Sequence, residues 1–157
     1  GKKGGSYGCV RQQVNKICNS VRGRKNHDGI DIKAKLNSNS FAMYDGIIHE
    51  TRNSFSPGEY LANSYGNYVI IKVILNGETF YLKYNHLNNV SVNIGELVKA
   101  GDIIGLNGNT GNASDPNVTP HLHLQLFDSY WNSQNPMRHL KTKYDTNLNI
   151  IKNEICK

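Results

Sequence analysis

The stretch from Asn67 to Tyr84 constrains this chain more than any other part of it. Asn67 to Leu75 is rich in β-branched residues, Asn76-Gly77 comes next, and Thr79 to Tyr84 continues in the same style. An Asn-Gly pair supplies the two left-handed residues of a type I′ turn, whose twist matches that of two antiparallel strands. The segment predicts a β-hairpin. Elsewhere the chain keeps to short apolar pieces cut by turn residues. Gly29 to Ala34 alternates, Phe41 to Glu50 holds two short runs broken at the hairpin-type pair Asp45-Gly46, and Gly95, Gly101 and Gly105 punctuate the later apolar pieces. His121 to Phe127 is the last alternating strand, and residues 128–157 carry little pattern and are expected to wrap the surface. Helical spacing surfaces once, in residues 10–21, where Val14, Ile17, Cys18 and Val21 predict a short helix. Many short strands without a long helical period predict an all-β fold of mainly antiparallel sheets, with long loops and at most short helices.

A length of 157 residues fits one domain able to bury a real core. No apolar run approaches the roughly 20 residues that span a bilayer, so no membrane-spanning helix is expected. Gly1-Lys2-Lys3-Gly4-Gly5 has no apolar segment behind it, so no signal peptide is visible, and the chain reads as a mature form or an excised domain. The net charge of +6 suits a polyanionic partner, but only Arg22-Gly23-Arg24-Lys25 is a dense cationic cluster and no aromatic ladder accompanies it. Nucleic acid is therefore not the expected partner; a bacterial wall carrying carboxylates and phosphates fits as well, and solubility alone would explain the charge. Of three cysteines, Cys9 and Cys18 could pair in an oxidising compartment, leaving Cys156 over. The absence of C-x-x-C argues against a sulfur-ligated zinc site.

Two clusters carry chemistry: His27-Asp28-Gly29-Ile30-Asp31 and His121-Leu122-His123. Strand residues two apart face the same way, so His121 and His123 point into one groove, either as a ligand pair or as one ligand beside a general base. In a straight strand His27 and Asp31 would lie about 13 Å apart. Sharing a metal at about 2.0–2.2 Å requires a bend, for which Gly29 supplies a permissive backbone. Two imidazoles and a carboxylate leave a fourth tetrahedral position open, the catalytic rather than the structural zinc pattern.

At this point the chain resembles the lysostaphin-like (LytM-type) family of zinc peptidoglycan endopeptidases, whose β fold resembles that of the duplicated-hybrid-motif peptidases. Residues 23–34, G-R-K-N-H-D-G-I-D-I-K-A, match its H-x-G-x-D segment. Tyr65-Gly66-Asn67-Tyr68-Val69 matches Y-G-N-x-V, and Tyr84-Asn85-His86-Leu87 matches Y-x-H-L. Gly95 through Gly111 matches a glycine-rich stretch, and Pro120-His121-Leu122-His123-Leu124 matches P-H-L-H-F. The likeness covers about residues 7–127 of a single peptidase domain, with 128–157 as a C-terminal extension. It implies zinc held by His27, Asp31 and His123, His121 as the general base toward water, and His86 steadying the tetrahedral intermediate or orienting that water. It also implies peptidoglycan peptides as substrate and a secreted, periplasmic or wall-delivered location. Two departures stand out. The link Asn112 to Pro120 is about five residues longer than usual and is expected to wall the substrate groove, and Gln125 stands where the family commonly has Glu.

His49-Glu50 does not begin an H-E-x-x-H motif, because residue 53 is Asn. Gly105 to Gly111 lacks the Lys-Ser/Thr ending of a phosphate loop, and Lys99 is not set in a carrier-type modification motif. His139 reads as a histidine without a catalytic role. The alternative to a lytic or wall-remodelling enzyme is a catalytically degenerate binder that regulates other hydrolases. An antibacterial effector with a matching immunity or inhibitor protein is a variant of use rather than of chemistry.

Overall fold

A computed structural model describes residues 5–19, 21–140, 142–144 and 150–153. Thirteen strands run through them: β1 Gly8–Cys18, β2 Val21–His27, β3 Ile30–Lys33, β4 Asn39–Phe41, β5 Gly46–Arg52, β6 Asn67–Leu75, β7 Glu78–Val90, β8 Leu97–Val98, β9 Ile103–Asn107, β10 His121–Asp128, β11 Ser133–Gln134, β12 Thr142–Tyr144 and β13 Ile150–Asn153. The helices among these residues are two short 3₁₀ turns, Gly111–Ser114 and Pro136–Arg138. All strand pairs are antiparallel, as the all-β reading expects.

The hairpin β6–β7 lies inside a nine-stranded sheet of order β11-β10-β7-β6-β5-β8, with β3 beside β10 and β9 bridging β4 and β7. Asn76 and Gly77 close it at φ of +52° and +83°, the left-handed pair a type I′ turn requires. Alternation then divides the side chains between two faces. Val69, Ile71 and Val73 of β6, Phe80, Leu82 and Tyr84 of β7, and Leu124 and Leu126 of β10 are buried in the core with Ile30 and Ile48. Each such aliphatic burial contributes about 1.5–3 kcal/mol. The intervening residues of β10, His121, His123, Gln125 and Phe127, fall on the opposite face.

Residues 10–18 belong to β1, and Val21 starts β2, in place of the helix expected over 10–21 from spacing. Val14 and Ile17 are exposed, so the apolar stripe that would anchor a helix has nothing to bury against. A disulfide joins Cys9 to Cys18 with Cα atoms 5.6 Å apart, where a straight strand would separate them by about 30 Å. The chain between them folds back, with register shifts at Gly8/Arg11 and Gln12/Ile17 as β1 pairs with β2. Asp45-Gly46 is likewise not a hairpin turn, because β4 pairs with β9 while β5 pairs with β6 and β8. Gly46 serves a close approach instead: an added Cβ would stand 2.5 Å from the Lys72 carbonyl oxygen. Residues beyond 127 do more than wrap the surface, since β11 extends the sheet at the end of β10 and Leu140 enters the core. Cys156 lies outside the described residues.

Candidate metal centre

Strand register brings the two sequence clusters together. His123 sits opposite Asp31 on one side of β10 and opposite Asn85 on the other. A slip of one residue would turn His123 into the core, so burial of Leu124 and Leu126, with Leu122 packed half-buried beside them, holds the histidine on the site face. His27 ends β2, and the chain bends through Asp28 and Gly29 before Ile30 begins β3. Gly29 is required here for closeness rather than for a left-handed backbone. Its φ is not positive, and a Cβ would lie 2.4 Å from the Leu124 carbonyl oxygen and 2.9 Å from His123 Cε1.

Three electron-pair donors converge. His27 Nε2 lies 3.0 Å from His123 Nδ1 and 3.1 Å from Asp31 Oδ1, and His123 Nδ1 lies 2.8 Å from Asp31 Oδ1. Ligands of a tetrahedral metal at about 2.0–2.1 Å stand about 3.3–3.4 Å from one another, so this triangle is within a few tenths of an ångström of a metal-binding face. Away from the triangle, His27 Nδ1–H donates to the Ser6 carbonyl at 2.9 Å, while the buried His123 Nε2 makes no hydrogen bond among the described residues and has Asp28 Oδ1 as its acidic neighbour at 3.4 Å. With His27 protonated on Nδ1 and His123 on Nε2 toward Asp28, lone pairs on His27 Nε2 and His123 Nδ1 face a carboxylate, a donor set that calls for positive charge, of which the Arg11 guanidinium is one source. The residues fit a metal. Arg11 of β1 brings positive charge to the same place, its Nη2 lying 2.7 Å from His27 Nε2 and 2.5 Å from Asp31 Oδ2. Burial works against charge on Asp31, but the imidazoles of His123, His27 and His121 packed around it outweigh burial and hold the carboxyl far below the usual range.

Both other histidines reach the same cavity of about 330 Å³, whose walls include Tyr65, Asn112, Ala113 and Val118. The long link after Gly111 thus does line the groove. His121 Nδ1–H donates to the Thr119 carbonyl at 2.8 Å, leaving Nε2 free at 3.5 Å from Asp31 Oδ1. His86 Nδ1–H donates to the Thr110 carbonyl at 2.9 Å, and its ring lies 5.2 Å from that of His121. Burial first, then the neighbouring His121 and His123, push the His86 pKa down to about 3, and burial also lowers that of His121. Both are neutral imidazoles at neutral pH, with an acceptor nitrogen left over. His86 holds φ of +63°, a sparsely populated conformation for a non-glycine residue of the kind that gathers at functional sites. Thr110 braces this wall: its Oγ1 accepts from Asn67 N and donates to the Leu87 carbonyl, each at 2.9 Å.

The five expected residues therefore meet at one place. His49 and His139 do not join them; His49 packs on Tyr81 and Trp131, and His139 on Phe80. Sequence reasoning assigned no role to Arg11, Asp28, Tyr65, Asn85 or Gln125, all of which border the triad. Tyr65 stacks on His123 with ring centroids 5.3 Å apart and a 9° interplanar angle. Asp28 could in principle ligate together with His27 and His123. However, it reaches only Nε2 of His123, whereas Asp31 Oδ1 faces the nitrogen that His27 also faces, so Asp31 is the better third donor. The signals for Asp28 and Gln125 were their places next to His27 and two residues after His123; for Arg11 there was none.

Comparison with known proteins agrees with this geometry. The profile of Peptidase family M23 matches residues 25–136. Peptidoglycan DD-endopeptidase ShyA of Vibrio cholerae is 35% identical over 101 residues, 64% of this chain and 20% of that protein. Lysostaphin of Staphylococcus simulans is 34% identical over 119 residues, 74% of this chain and 22% of that protein. The chain thus spans about a fifth of the length of these curated relatives. Among solved structures, the catalytic domain of lysostaphin from Staphylococcus simulans superposes with a TM-score of 0.62 at 32% identity, covering 90% of this chain and 92% of that one.

Proposed function

Because the chain belongs to Peptidase family M23, we propose that it is a zinc-dependent endopeptidase hydrolysing peptide bonds of bacterial peptidoglycan, with zinc held by His27, Asp31 and His123. The observation that carries this reading is the convergence of three lone-pair donors beside two further neutral histidines on one cavity. Two histidines, one carboxylate and an open fourth position are the donor set of catalytic zinc. Bound there, zinc supplies Lewis acidity toward the scissile carbonyl and toward water. The relatives' names, a peptidoglycan DD-endopeptidase and lysostaphin, support peptidoglycan as the substrate class.

The chain's own residues divide the remaining work. His121, its ring fixed by the Thr119 carbonyl, turns Nε2 into the cavity as the acceptor that takes a proton from the attacking water and returns it to the leaving amine. His86 carries its proton on Nδ1, bound to Thr110, so Nε2 accepts rather than donates. That polarity favours orienting the water over donating to an oxyanion. The wall formed by Tyr65, Asn112, Ala113 and Val118 confines the substrate backbone over the triad.

Zinc-loaded protein incubated with purified walls of several peptide types should release new amino groups, and mass spectrometry of the released muropeptides identifies the bond. A chelator should stop the release and zinc restore it. Absence of new amino groups from every wall type, with zinc bound, would overturn the reading.

A further inference from the structure

Asp28 is the carboxylate beside the triad that the proposed ligand set leaves unused, and its hydrogen bonds lead directly to Gln125. Asp28 Oδ2 accepts from Tyr65 Oη–H and from Gln125 Nε2–H, each at 2.7 Å. Oδ1 of the same carboxylate stands 3.4 Å from His123 Nε2. Gln125 is buried, and its Oε1 accepts from Asn85 Nδ2 at 3.0 Å, the same amide that donates to the His123 carbonyl at 3.1 Å. Both ends of the Gln125 amide are thereby committed: carbonyl toward Asn85, amino group toward Asp28. A carboxylate at position 125 would set two anions face to face at hydrogen-bonding distance in a buried site.

We propose that Asp28 is the positioning residue of His123, and that Gln125 is its required neutral partner, so that positions 28 and 125 together hold one carboxylate. Asp28 takes the Nε2–H of His123 and so keeps the lone pair on Nδ1, the nitrogen aimed at Asp31 and His27. Tyr65 and Gln125 hold the Asp28 carboxylate in that orientation, and Tyr65 covers the ring face. Carboxylates behind metal-binding histidines act in this way, and their loss typically weakens metal binding by about 10–100-fold. This rests on the reading of His123 as a metal ligand. It also accounts for the presence of Gln rather than Glu two residues beyond it.

The test compares Asp28→Asn, Gln125→Glu, the exchange Asp28→Asn/Gln125→Glu, and Asp31→Asn in the full chain. Zinc affinity is read by competition with a chromophoric chelator, and folding by far-UV circular dichroism. Asp28→Asn should weaken zinc about 10–100-fold with the fold kept, because an amide faces the Gln125 amide and the anionic acceptor is gone. Gln125→Glu should weaken it as well. The exchange should recover affinity to within about threefold of wild type. In that variant the amide at position 28 can donate to the carboxylate at position 125 while its own carbonyl still accepts from His123. Independently of zinc, ¹⁵N spectra of neutral His123 should show the Nε2–H tautomer in wild type and a mixture in Asp28→Asn. Zinc affinity of Asp28→Asn within twofold of wild type would overturn the proposal. So would a loss as complete as that of Asp31→Asn, which would make Asp28 a ligand, or an exchange variant no better than its worse parent. Failure of the wild type to bind zinc would instead sink the metal reading, and the tautomer spectra would then decide the Asp28 proposal by themselves.

Discussion

Replacing Gly29 with alanine tests whether the centre depends on how closely the His27–Asp31 turn passes the strand carrying His123. The new Cβ would stand 2.4 Å from the Leu124 carbonyl oxygen, 2.9 Å from His123 Cε1 and 3.0 Å from Gln125 Cγ. Carbon and oxygen approach comfortably to about 3.3 Å, so the separation has to open by roughly 0.9 Å. Leu124 is paired with Ile30 on one side and Tyr84 on the other, in the middle of the sheet, and cannot give that much. The turn has to move, and it carries His27 at one end and Asp31 at the other. Metal–ligand distances tolerate only about ±0.2 Å, so even half of that displacement breaks a triangle whose sides are 2.8 to 3.1 Å. The expected result is a loss of zinc affinity on the order of 100-fold or more, against a stability cost of about 1–3 kcal/mol, with the β spectrum retained. Competition titration reads the first and urea unfolding of the zinc-free protein the second. Gly77→Ala is the matched control. At φ of +83° with nothing within 4 Å of its Cβ, it should cost about 1 kcal/mol and leave zinc affinity unchanged. If Gly29→Ala bound zinc within threefold of wild type, the steric reasoning would be wrong.

His121→Ala should keep zinc within about threefold of wild type while turnover drops by about 10²–10⁴, because His121 Nε2 lies outside the ligand triangle; an emptied metal site, as complete as that of His123→Ala, would refute the division of roles. Arg11→Ala should tighten zinc binding by about tenfold or more, since it removes a cation touching His27 Nε2 and Asp31 Oδ2; weaker binding would mean that Arg11 holds the ligands in place instead. His86 makes stability depend on pH. Its folded pKa of about 3 lies below the roughly 6.5 of an unfolded chain, so the unfolded state takes the proton first. The stabilisation is full above about pH 6.5 and is lost as pH falls toward 3, the loss reaching about 2 kcal/mol by pH 5. His86→Asn, whose side chain tolerates the positive φ, should flatten that limb in urea titrations; parallel curves for variant and wild type would assign the acid sensitivity elsewhere.

What the sequence disclosed and what it hid differ in physical kind. Asn76-Gly77 was legible because a type I′ turn is decided by two residues and their immediate strands. Asp45-Gly46 carries the same local signal, yet no hairpin forms, because β9 and β6 compete for the two flanking runs and win. Residues 10–21 show helical spacing, but Val14 and Ile17 are left exposed, and the Cys9–Cys18 bond turns the segment back on itself. Local pattern fails wherever the partner is chosen by distant chain.

The site obeys the same division. His27, Asp31, His86, His121 and His123 stood out because each lies in a short motif whose order is readable. Their distances were not readable, since His123 meets Asp31 only through the β3–β10 register. Gly29 shows how a correct position can be given the wrong reason: the bend was expected to need a permissive backbone, whereas it needs the absence of a side chain against Leu124 and His123. Asp28 and Gln125 are 97 positions apart in sequence and 2.7 Å apart in space. Each alone looked like an ordinary polar neighbour of a ligand, and only their contact explains why one is acidic and the other is not. The residues that perform chemistry are therefore readable one at a time, while those that hold them in place become readable only in pairs, once strand register has joined them.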